Sequence, residues 1–276
     1  MMSLCLVAAL ALSSAQEGAT PYELDPMTDG VLTVGTALFV VVMDGLVKPV
    51  LRPAPACTLA ADGNYCDPAH LNALDATVVG NDSKTWQQLS DVGIGVVYAM
   101  PLILGAIDSF AADTHRPWGD WGTDLLVITE AGLLTTLLTS ALKYGVRRPR
   151  PTQYDPNMPN RFGSSEHQLS FPSGHTSVAA AVSSAYAMTF ALRHPDSPWR
   201  WLVYGGAGFA TAFTGYARVA AGMHFYTDVV GGVALGTTIG LLVPWLHRKG
   251  VSLVPTVHAE GLGLDSAQGM TASFEF

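Results

Sequence analysis

Three short stretches of the chain gather residues whose types could do chemistry on an anion. They are KYGVRRPRP, FPSGH and ARVAAGMHFYTD, at 143–151, 171–175 and 217–228. Each lies at the end of an apolar segment, so antiparallel packing of neighbouring helices would bring all three to one face of a bundle. Gathered positive charges repel one another unless an anion is bound, and a phosphoryl group offers three oxygens to clamp. The sequence therefore predicts a phosphate-binding pocket.

The donors of that pocket are both side chains and backbone amides. The expected phosphate-binding residues are Lys143, Arg150, Ser173, Gly174 and Arg218. Ser173 and Gly174 open a helix, whose first N–H groups lack backbone partners and favour an anion. The neighbouring Arg147 and Arg148 fit a basic helix end near solvent or lipid head groups as well as they fit phosphate contact.

Two histidines and a carboxylate complete a set able to transfer a phosphoryl group. His224 and Asp228 are four residues apart, so on a helix the carboxylate would lie one turn along and hold one ring nitrogen. The other nitrogen is then a nucleophile for phosphorus. His175, at a separate helix start, would protonate the leaving oxygen and later activate water. This scheme requires no metal, and no cofactor is expected.

These stretches resemble the three signature motifs of the type 2 phosphatidic acid phosphatase (PAP2) superfamily, which also includes bacterial class A acid phosphatases and vanadium haloperoxidases. The matching positions are Lys143, Arg150 and Pro151; Pro172, Ser173, Gly174 and His175; and Arg218, His224 and Asp228. Ala217 stands where the third motif has a leading Ser, which leaves fine substrate preference open. Three motifs in order at the right spacing make the resemblance specific. It implies that vanadate could occupy the phosphate site.

Composition favours a membrane or cell-envelope protein. Of the 276 residues, 49% are hydrophobic and only 13% are charged, which is too apolar for a disordered chain. The net charge is −8, and only 14 residues are Lys or Arg. Because binding to a phosphate backbone needs a basic face, nucleic acid is excluded as a partner.

The fold expected from the apolar pattern is an all-α bundle of about six helices. The apolar stretches lie at 31–47, 92–107, 122–142, 175–192, 199–221 and 229–246. A single PAP2-like domain is expected over 16–250. The tail at 251–276 has partial apolar alternation and Gly punctuation, which favours a short β-hairpin.

The N-terminus and two cysteines bear on location. Residues 1–15 read as a signal peptide or a retained leader, and Cys57 and Cys66 bracket a polar loop that suits a disulfide in an oxidising compartment. A cleaved leader followed by three spans would put the catalytic loop in the cytoplasm, which conflicts with that disulfide. The expected locations are a bacterial-type inner membrane with a periplasm-facing site, or the soluble periplasm.

The sequence leads to a metal-independent phosphatase acting on a phosphate monoester or diphosphate, with a phosphorylated lipid as the expected substrate. Phosphatidic acid, phosphatidylglycerol phosphate, an isoprenyl diphosphate and a lipid A phosphate all remain open. The alternatives are a soluble periplasmic acid phosphatase of broad specificity, a vanadate-dependent haloperoxidase and a non-catalytic phospholipid-binding envelope protein. Binding alone would not need a nucleophile, an acid and an orienting carboxylate, and this speaks against the last of these.

Overall fold

The structure, a computed structural model, describes residues 19–47, 50, 56–112, 114–158, 165–249, 251–258 and 267–274. The expected leader at 1–15 lies outside these residues. Over the described ranges the chain is helical apart from its last two elements, which confirms the prediction of an all-α bundle. The helices are α1 (Pro26–Val42, extended by a π-helical turn Met43–Val47), α2 (Ala73–Ala76), α3 (Lys84–Ala111), α4 (Pro117–Val146), α5 (Gly174–Arg193), α6 (Trp199–Ala220) and α7 (Tyr226–Leu246).

The tail forms a two-stranded antiparallel sheet. Strand β1 is Val251–His258 and β2 is Ala267–Phe274, with Val251 opposite Phe274 and His258 opposite Ala267. This hairpin follows the last helix of the bundle and lies after every motif residue.

Among the residues that the structure describes, four helical segments are long and apolar enough to cross a membrane. They are Met27–Val47, Lys84–Ala111, Pro117–Tyr154 and Tyr226–Leu246. Large apolar side chains on α1 point away from the bundle, among them Val31 and Leu38, which are 67% and 61% exposed. Such a face suits lipid rather than water. These helices indicate a membrane protein.

Three described acidic residues in or beside the apolar stretches have partners from elsewhere in the chain. Arg193, at the end of α5, lies 2.9 Å from Asp124 of α4 and 3.3 Å from Asp108 of α3. His247, just after α7, lies 3.1 Å from Glu130 of α4. Pairing lowers the cost of burying a charge, so these acids are compatible with helices in a bilayer.

Helix α5 is the centre of the bundle, and it packs most closely against α7. Two glycines of α7 allow this approach. A Cβ atom at Gly236 would lie 2.0 Å from the carbonyl oxygen of Ser177, and one at Gly240 would lie 2.4 Å from that of Ala181. Any larger residue would push the two backbones apart.

The helix ends define two faces of the bundle. The motif face is the one where α4 and α6 end and where α5 and α7 begin. At the opposite face, called the far face, residues 19–25 lie across the helix ends. Tyr22 Oη is 2.7 Å from Thr189 Oγ1 near the end of α5, and the Glu23 N–H donates to the His247 carbonyl at 2.9 Å. Helix α1 therefore runs from the far face to the motif face.

A disulfide-closed loop covers part of the motif face. Cys57 and Cys66 are bonded, and the Cys66 N–H donates to the Gln153 carbonyl at 2.9 Å. Cys66 is buried in a cluster with Tyr154 and Phe225. The loop thus packs directly on the residues that precede α7.

Candidate active site

A cavity of about 600 Å³ opens on the motif face, between α3, α4 and α5. The structure brings together most of the predicted site residues at its wall: Lys143, Arg150, Gly174, His175, Arg218 and His224 all line it. They come from five separate places in the chain, so the convergence depends on the helix packing described above. A cavity with two histidines and three cationic side chains is suited to an anion that undergoes proton transfer.

The cationic side chains are held in place by the surrounding backbone and hydroxyl groups. Lys143 Nζ donates to the Leu169 carbonyl at 2.9 Å, and Arg218 Nη1 donates to Ser90 Oγ at 3.2 Å. Arg150 and Arg218 are only 5% and 4% exposed. Because they are fixed before any ligand binds, they can stabilise developing charge without reorganising.

His224 lies in the turn between α6 and α7 and is 1% exposed. Its Nδ1 is 3.7 Å from Asp228 Oδ2 and 3.5 Å from Ser170 Oγ. Burial lowers the pKa of His224 well below its ordinary value; Asp228 opposes this shift, and the cation of Arg150 adds to it. The imidazole is therefore neutral at pH 7, which is the form that a nucleophile requires.

The prediction that His224 and Asp228 lie one turn apart on the same helix is wrong. Phe225 is the N-cap of α7, so His224 precedes the helix, and only Asp228 lies in its first turn. Asp228 Oδ2 accepts hydrogen bonds from the Phe225 N–H at 2.9 Å and from Ser170 Oγ at 2.5 Å. The carboxylate still faces the imidazole, but as a helix-capping group rather than as a neighbour one turn along.

Ser173 does not line the cavity, and its amide is not available to phosphate. Its N–H donates to the Asp228 carbonyl at 3.0 Å, and its Oγ lies 2.9 Å from Thr176 Oγ1. The prediction of a phosphate contact from the Ser173 amide is therefore wrong in this structure. Ser173 instead joins the start of α5 to the start of α7, while Gly174 remains at the cavity wall.

His175 is paired with an acid that the sequence analysis did not identify. Its Nε2 lies 3.0 Å from Asp91 Oδ1, and the same oxygen is 3.6 Å from Arg218 Nη1. Burial lowers the pKa of His175 to about 4; Arg218 adds to the shift, and Asp91 opposes it. Asp91 belongs to the first turns of α3, 84 residues earlier in the chain, so no local spacing signals the contact.

Arg148 contacts neither phosphate-binding side chains nor the cavity. Its guanidinium donates to Asp228 Oδ1 at 2.6 Å and to Asp75 Oδ2 at 2.8 Å. Burial would raise the pKa of Asp75, but hydrogen bonds from Thr227 and Arg148 outweigh it and hold the pKa below its ordinary value. Neither of the two roles considered for Arg148 from the sequence describes what it does here.

The remainder of the cavity wall is less polar and runs along the helices. Ile94 and Tyr98 of α3, Thr136 of α4 and Val178 of α5 line it, and His167 lines it near the motif face. A ligand bound by the cationic end therefore has Ile94, Tyr98 and Val178 beside it, farther along the helices.

One group of described residues has the geometry to hold a metal ion, and it is not at this cavity. Ligand atoms of Asp29, Glu130 and His247 all lie within 4.8 Å of one another. The group is at the far face, where α1 begins and α7 ends. Since α7 has 21 residues, a length of about 30 Å separates that group from the start of α7 beside His224.

Comparison with protein families identifies a match to the region that carries these residues. The model of the PAP2 superfamily matches residues 124–251, which include all three motif stretches and every cationic cavity residue named above. This part of the chain, a little under half of it, is similar to the PAP2 superfamily. The PAP2 match begins in α4 and ends just after α7, so α1, α3 and the disulfide loop lie outside it. Asp75 and Asp91 are both in that preceding part.

Curated relatives of this chain are similar over part of their length. Phosphatidylglycerophosphatase B of Bacillus subtilis is 36% identical over 115 residues, which are 41% of this chain and 53% of the relative. Lipid A 1-phosphatase of Porphyromonas gingivalis is 32% identical over 127 residues, which are 46% of this chain and 24% of the relative. The match thus spans about half, or less, of the length of these relatives.

Among solved structures, the crystal structure of a transmembrane PAP2 type phosphatidylglycerolphosphate phosphatase from Bacillus subtilis is similar. The crystallised protein is 26% identical to this chain. The match covers 78% of this chain and 96% of the crystallised chain, with a TM-score of 0.45.

Proposed function

We propose that this protein is a metal-independent phosphatase that removes the phosphate of a lipid. The observation that carries the proposal is the shared cavity: His224, His175 and the cations of Lys143, Arg150 and Arg218 line one pocket. A neutral buried imidazole beside an acid and three fixed cations has the parts for phosphoryl transfer. The names of the two curated relatives, a phosphatidylglycerophosphatase and a lipid A phosphatase, support the same activity.

The proposed first step is attack by His224 on phosphorus. Asp228 faces Nδ1, so Nε2 provides the electron pair. A P–N bond forms, the bond from phosphorus to the leaving oxygen breaks, and His175 gives that oxygen a proton. His175 holds this proton when the negative charge of the bound phosphate offsets the lowering of its pKa by burial and by Arg218. Lys143, Arg150 and Arg218 neutralise the charge on the other phosphate oxygens, which is the work that a metal ion does in other phosphatases.

The second step is hydrolysis of the phosphohistidine. His175, now neutral, takes a proton from water; the water oxygen bonds to phosphorus, and the P–N bond breaks. Inorganic phosphate leaves, and the neutral His224 and the protonated His175 are restored. Asp228 stabilises the positive charge that His224 carries while it is phosphorylated.

A lipid substrate is favoured by the position of the cavity. Its cationic end is at the motif face, and Ile94, Tyr98 and Val178 continue it along the helices. A phosphate at the head of an apolar chain would match both parts. The four candidate spans weigh against the alternative of a soluble periplasmic phosphatase.

We propose further that the motif face lies outside the cytoplasm. The Cys57–Cys66 disulfide is on that face, and disulfides persist in oxidising compartments. Helix α1 runs from the far face to the motif face, so residues 19–25, which lie at the far face, are then on the cytoplasmic side. Labelling a single cysteine at Ser197, between α5 and α6, with a membrane-impermeant thiol reagent tests this: labelling in intact cells would contradict it.

The activity is tested by phosphate release from lipid phosphates in detergent micelles. We expect turnover by the wild type, loss of it in His224→Ala and His175→Ala, and no effect of a chelator. His70→Ala is the control, because His70 is a surface histidine outside the cavity. Undiminished turnover in His224→Ala would refute the mechanism. Quenching with an alkaline denaturant, in which a phosphohistidine is stable, after reaction with ³²P-labelled substrate would support the phosphohistidine if label stays on the wild type but not on His224→Ala.

A further inference from the structure

Arg148 bridges two fully buried carboxylates. Its Nη1 donates to Asp228 Oδ1 at 2.6 Å and to Thr227 Oγ1 at 2.6 Å, and its Nη2 donates to Asp75 Oδ2 at 2.8 Å. The two carboxylates are 0% exposed, and the guanidinium lies 4.3 Å from the centre of the Phe225 ring. A planar fork held on three sides has one orientation. Asp228 Oδ1 is therefore fixed by Arg148, just as Oδ2 is fixed by Ser170.

Asp75 in turn is saturated with donors. Its Oδ2 accepts from Arg148, from Thr227 Oγ1 at 2.6 Å and from Asn72 Nδ2 at 2.7 Å. Its Oδ1 accepts from the Thr227 N–H at 3.2 Å. Every partner is a donor, and an ionised carboxylate accepts at both oxygens whereas an amide accepts at only one. The pocket around Asp75 is thus specific for a carboxylate.

Neither Asp75 nor Arg148 lines the cavity, so neither can touch a bound phosphate. Asp75 belongs to α2, in the segment between the Cys57–Cys66 disulfide and α3. This segment also reaches the His224 turn, because Asn81 Nδ2 donates to the Val219 carbonyl at 3.1 Å. The segment therefore supports both sides of the turn that carries His224.

We propose that Asp75 is a positioning residue, which fixes the carboxylate of Asp228 through Arg148 and Thr227. The proposal rests on the phosphatase function proposed above, in which Asp228 orients His224. It gives a role to the part of the chain that precedes the matched PAP2 region, because Asp75 of α2 contacts both Arg148 and Thr227, the residues next to the Asp228 carboxylate. Asp75 acts on turnover and not on phosphate binding.

The test uses the full chain in detergent and compares Asp75→Asn with the wild type. The new side chain in Asp75→Asn has nearly the shape of the aspartate, but its NH₂ group must face one of the donors that now bind the carboxylate. The hydrogen bonds to Arg148 and Thr227 are therefore disrupted without a change in side-chain size. We expect kcat to fall about tenfold to hundredfold. KM and inhibition by inorganic phosphate should stay within about twofold, since Lys143, Arg150 and Arg218 are untouched.

Asp124→Asn is the matched control. Asp124 is also a buried carboxylate paired with an arginine, Arg193 at 2.9 Å, but at the far face. The Asp124→Asn variant should leave kcat unchanged. An equal fall of kcat in Asp75→Asn and Asp124→Asn would mean that losing any buried ion pair is enough to slow turnover. Arg148→Lys, which keeps the charge and loses the fork, decides the matter if Asp75→Asn does not fold. Wild-type kcat in either Asp75→Asn or Arg148→Lys overturns the proposal.

A readout without turnover separates this proposal from the proposed function. In protein labelled with ¹⁵N-histidine, the Nδ1 resonance of His224 should shift in Asp75→Asn and not in Asp124→Asn. If the wild type releases no phosphate from any lipid, the proposed function fails. The Nδ1 resonance of His224 then still tests whether Asp75 positions Asp228. An unshifted His224 resonance in Asp75→Asn overturns the positioning.

Discussion

His175 Nε2 lies 3.0 Å from Asp91 Oδ1, and this contact joins the proposed acid of the reaction to a helix outside the matched PAP2 region. Asp91 is 54% exposed, so the carboxylate faces the cavity as well as the imidazole. The same carboxylate oxygen lies 3.6 Å from Arg218 Nη1. A single carboxylate therefore influences both proton transfer and charge at the phosphate site.

Replacing Asp91 should change the pH profile of the enzyme. The negative charge of Asp91 raises the pKa of His175 against the lowering by burial and by Arg218. In Asp91→Asn the pKa of His175 falls further, so the proton donor is lost at a lower pH. We expect the alkaline limb of the profile of kcat/KM against pH to move to lower pH.

The control for Asp91 is Asp67→Asn, because Asp67 is a partly exposed carboxylate outside the cavity. Its pH profile should coincide with that of the wild type. An alkaline limb that stays in place, or moves upward, in Asp91→Asn would show that Asp91 does not act on the protonation of His175.

The contact between α5 and α7 should tolerate no side chain at Gly236. In Gly236→Ala the new Cβ would lie 2.0 Å from the Ser177 carbonyl oxygen, so the backbones must separate. We expect a loss of about 1–3 kcal/mol in the free energy of unfolding, measured by thermal denaturation in detergent. Gly205→Ala on α6, where nothing lies within 4 Å, should leave the stability unchanged or raise it. Equal stability of the two variants would contradict the packing.

The disulfide should stabilise the segment that holds Asp75. Cys57 and Cys66 close a loop with a sequence separation of 9, which in the chain-entropy description is worth about 3 kcal/mol. In the double variant Cys57→Ser and Cys66→Ser, backbone amides of residues 57–81 should exchange hydrogen faster, while α5 amides should not. Unchanged exchange at 57–81 would mean that packing alone holds the segment.

The stability of the far face should depend on pH through His247. A hydrogen bond with Glu130 raises the pKa of His247 to about 9, against the opposing effect of burial. Because the folded pKa is above the unfolded value of 6.5, the protonated form stabilises the protein fully below pH 6.5, and this contribution is lost as pH rises through about 9. We expect the unfolding temperature to fall over that window.

His247→Gln should flatten that dependence, since the side chain no longer titrates. His70→Gln, at an exposed position, serves as its comparison and should keep the wild-type slope. A slope that survives in His247→Gln would assign the pH effect to another group.

The motif residues could be predicted because their spacing is local. Lys143 is in the last turn of α4 and Arg150 follows that helix, whereas Gly174 and His175 begin α5, and antiparallel packing is enough to bring them together. The His224 geometry was missed although a signal was present. Gly222 has a φ of +68°, which ends α6 and leaves His224 in a turn, and a glycine after a helix is the usual mark of such an end.

The supporting acids could not be predicted from this sequence alone. Asp75 is 73 residues from Arg148, and Asp91 is 84 residues from His175, so neither pair leaves a periodic or spaced pattern. Each contact depends on how the segments before α4 fold back over the bundle. The buried acids of the apolar stretches are similar: Asp124 is explained only when Arg193 is found beside it.

The bond from the Ser173 N–H to the Asp228 carbonyl ties the first turns of α5 and α7 together, and the glycines of α7 hold the rest of the two helices in backbone contact. His175 and the capping carboxylate of Asp228 are therefore parts of one rigid body. Admission of a substrate and escape of its product cannot proceed by parting these two helices. We expect an opening to form instead on the side of α3, which reaches the cavity through Tyr98 and is joined to α5 there by the side-chain contact of Asp91 with His175.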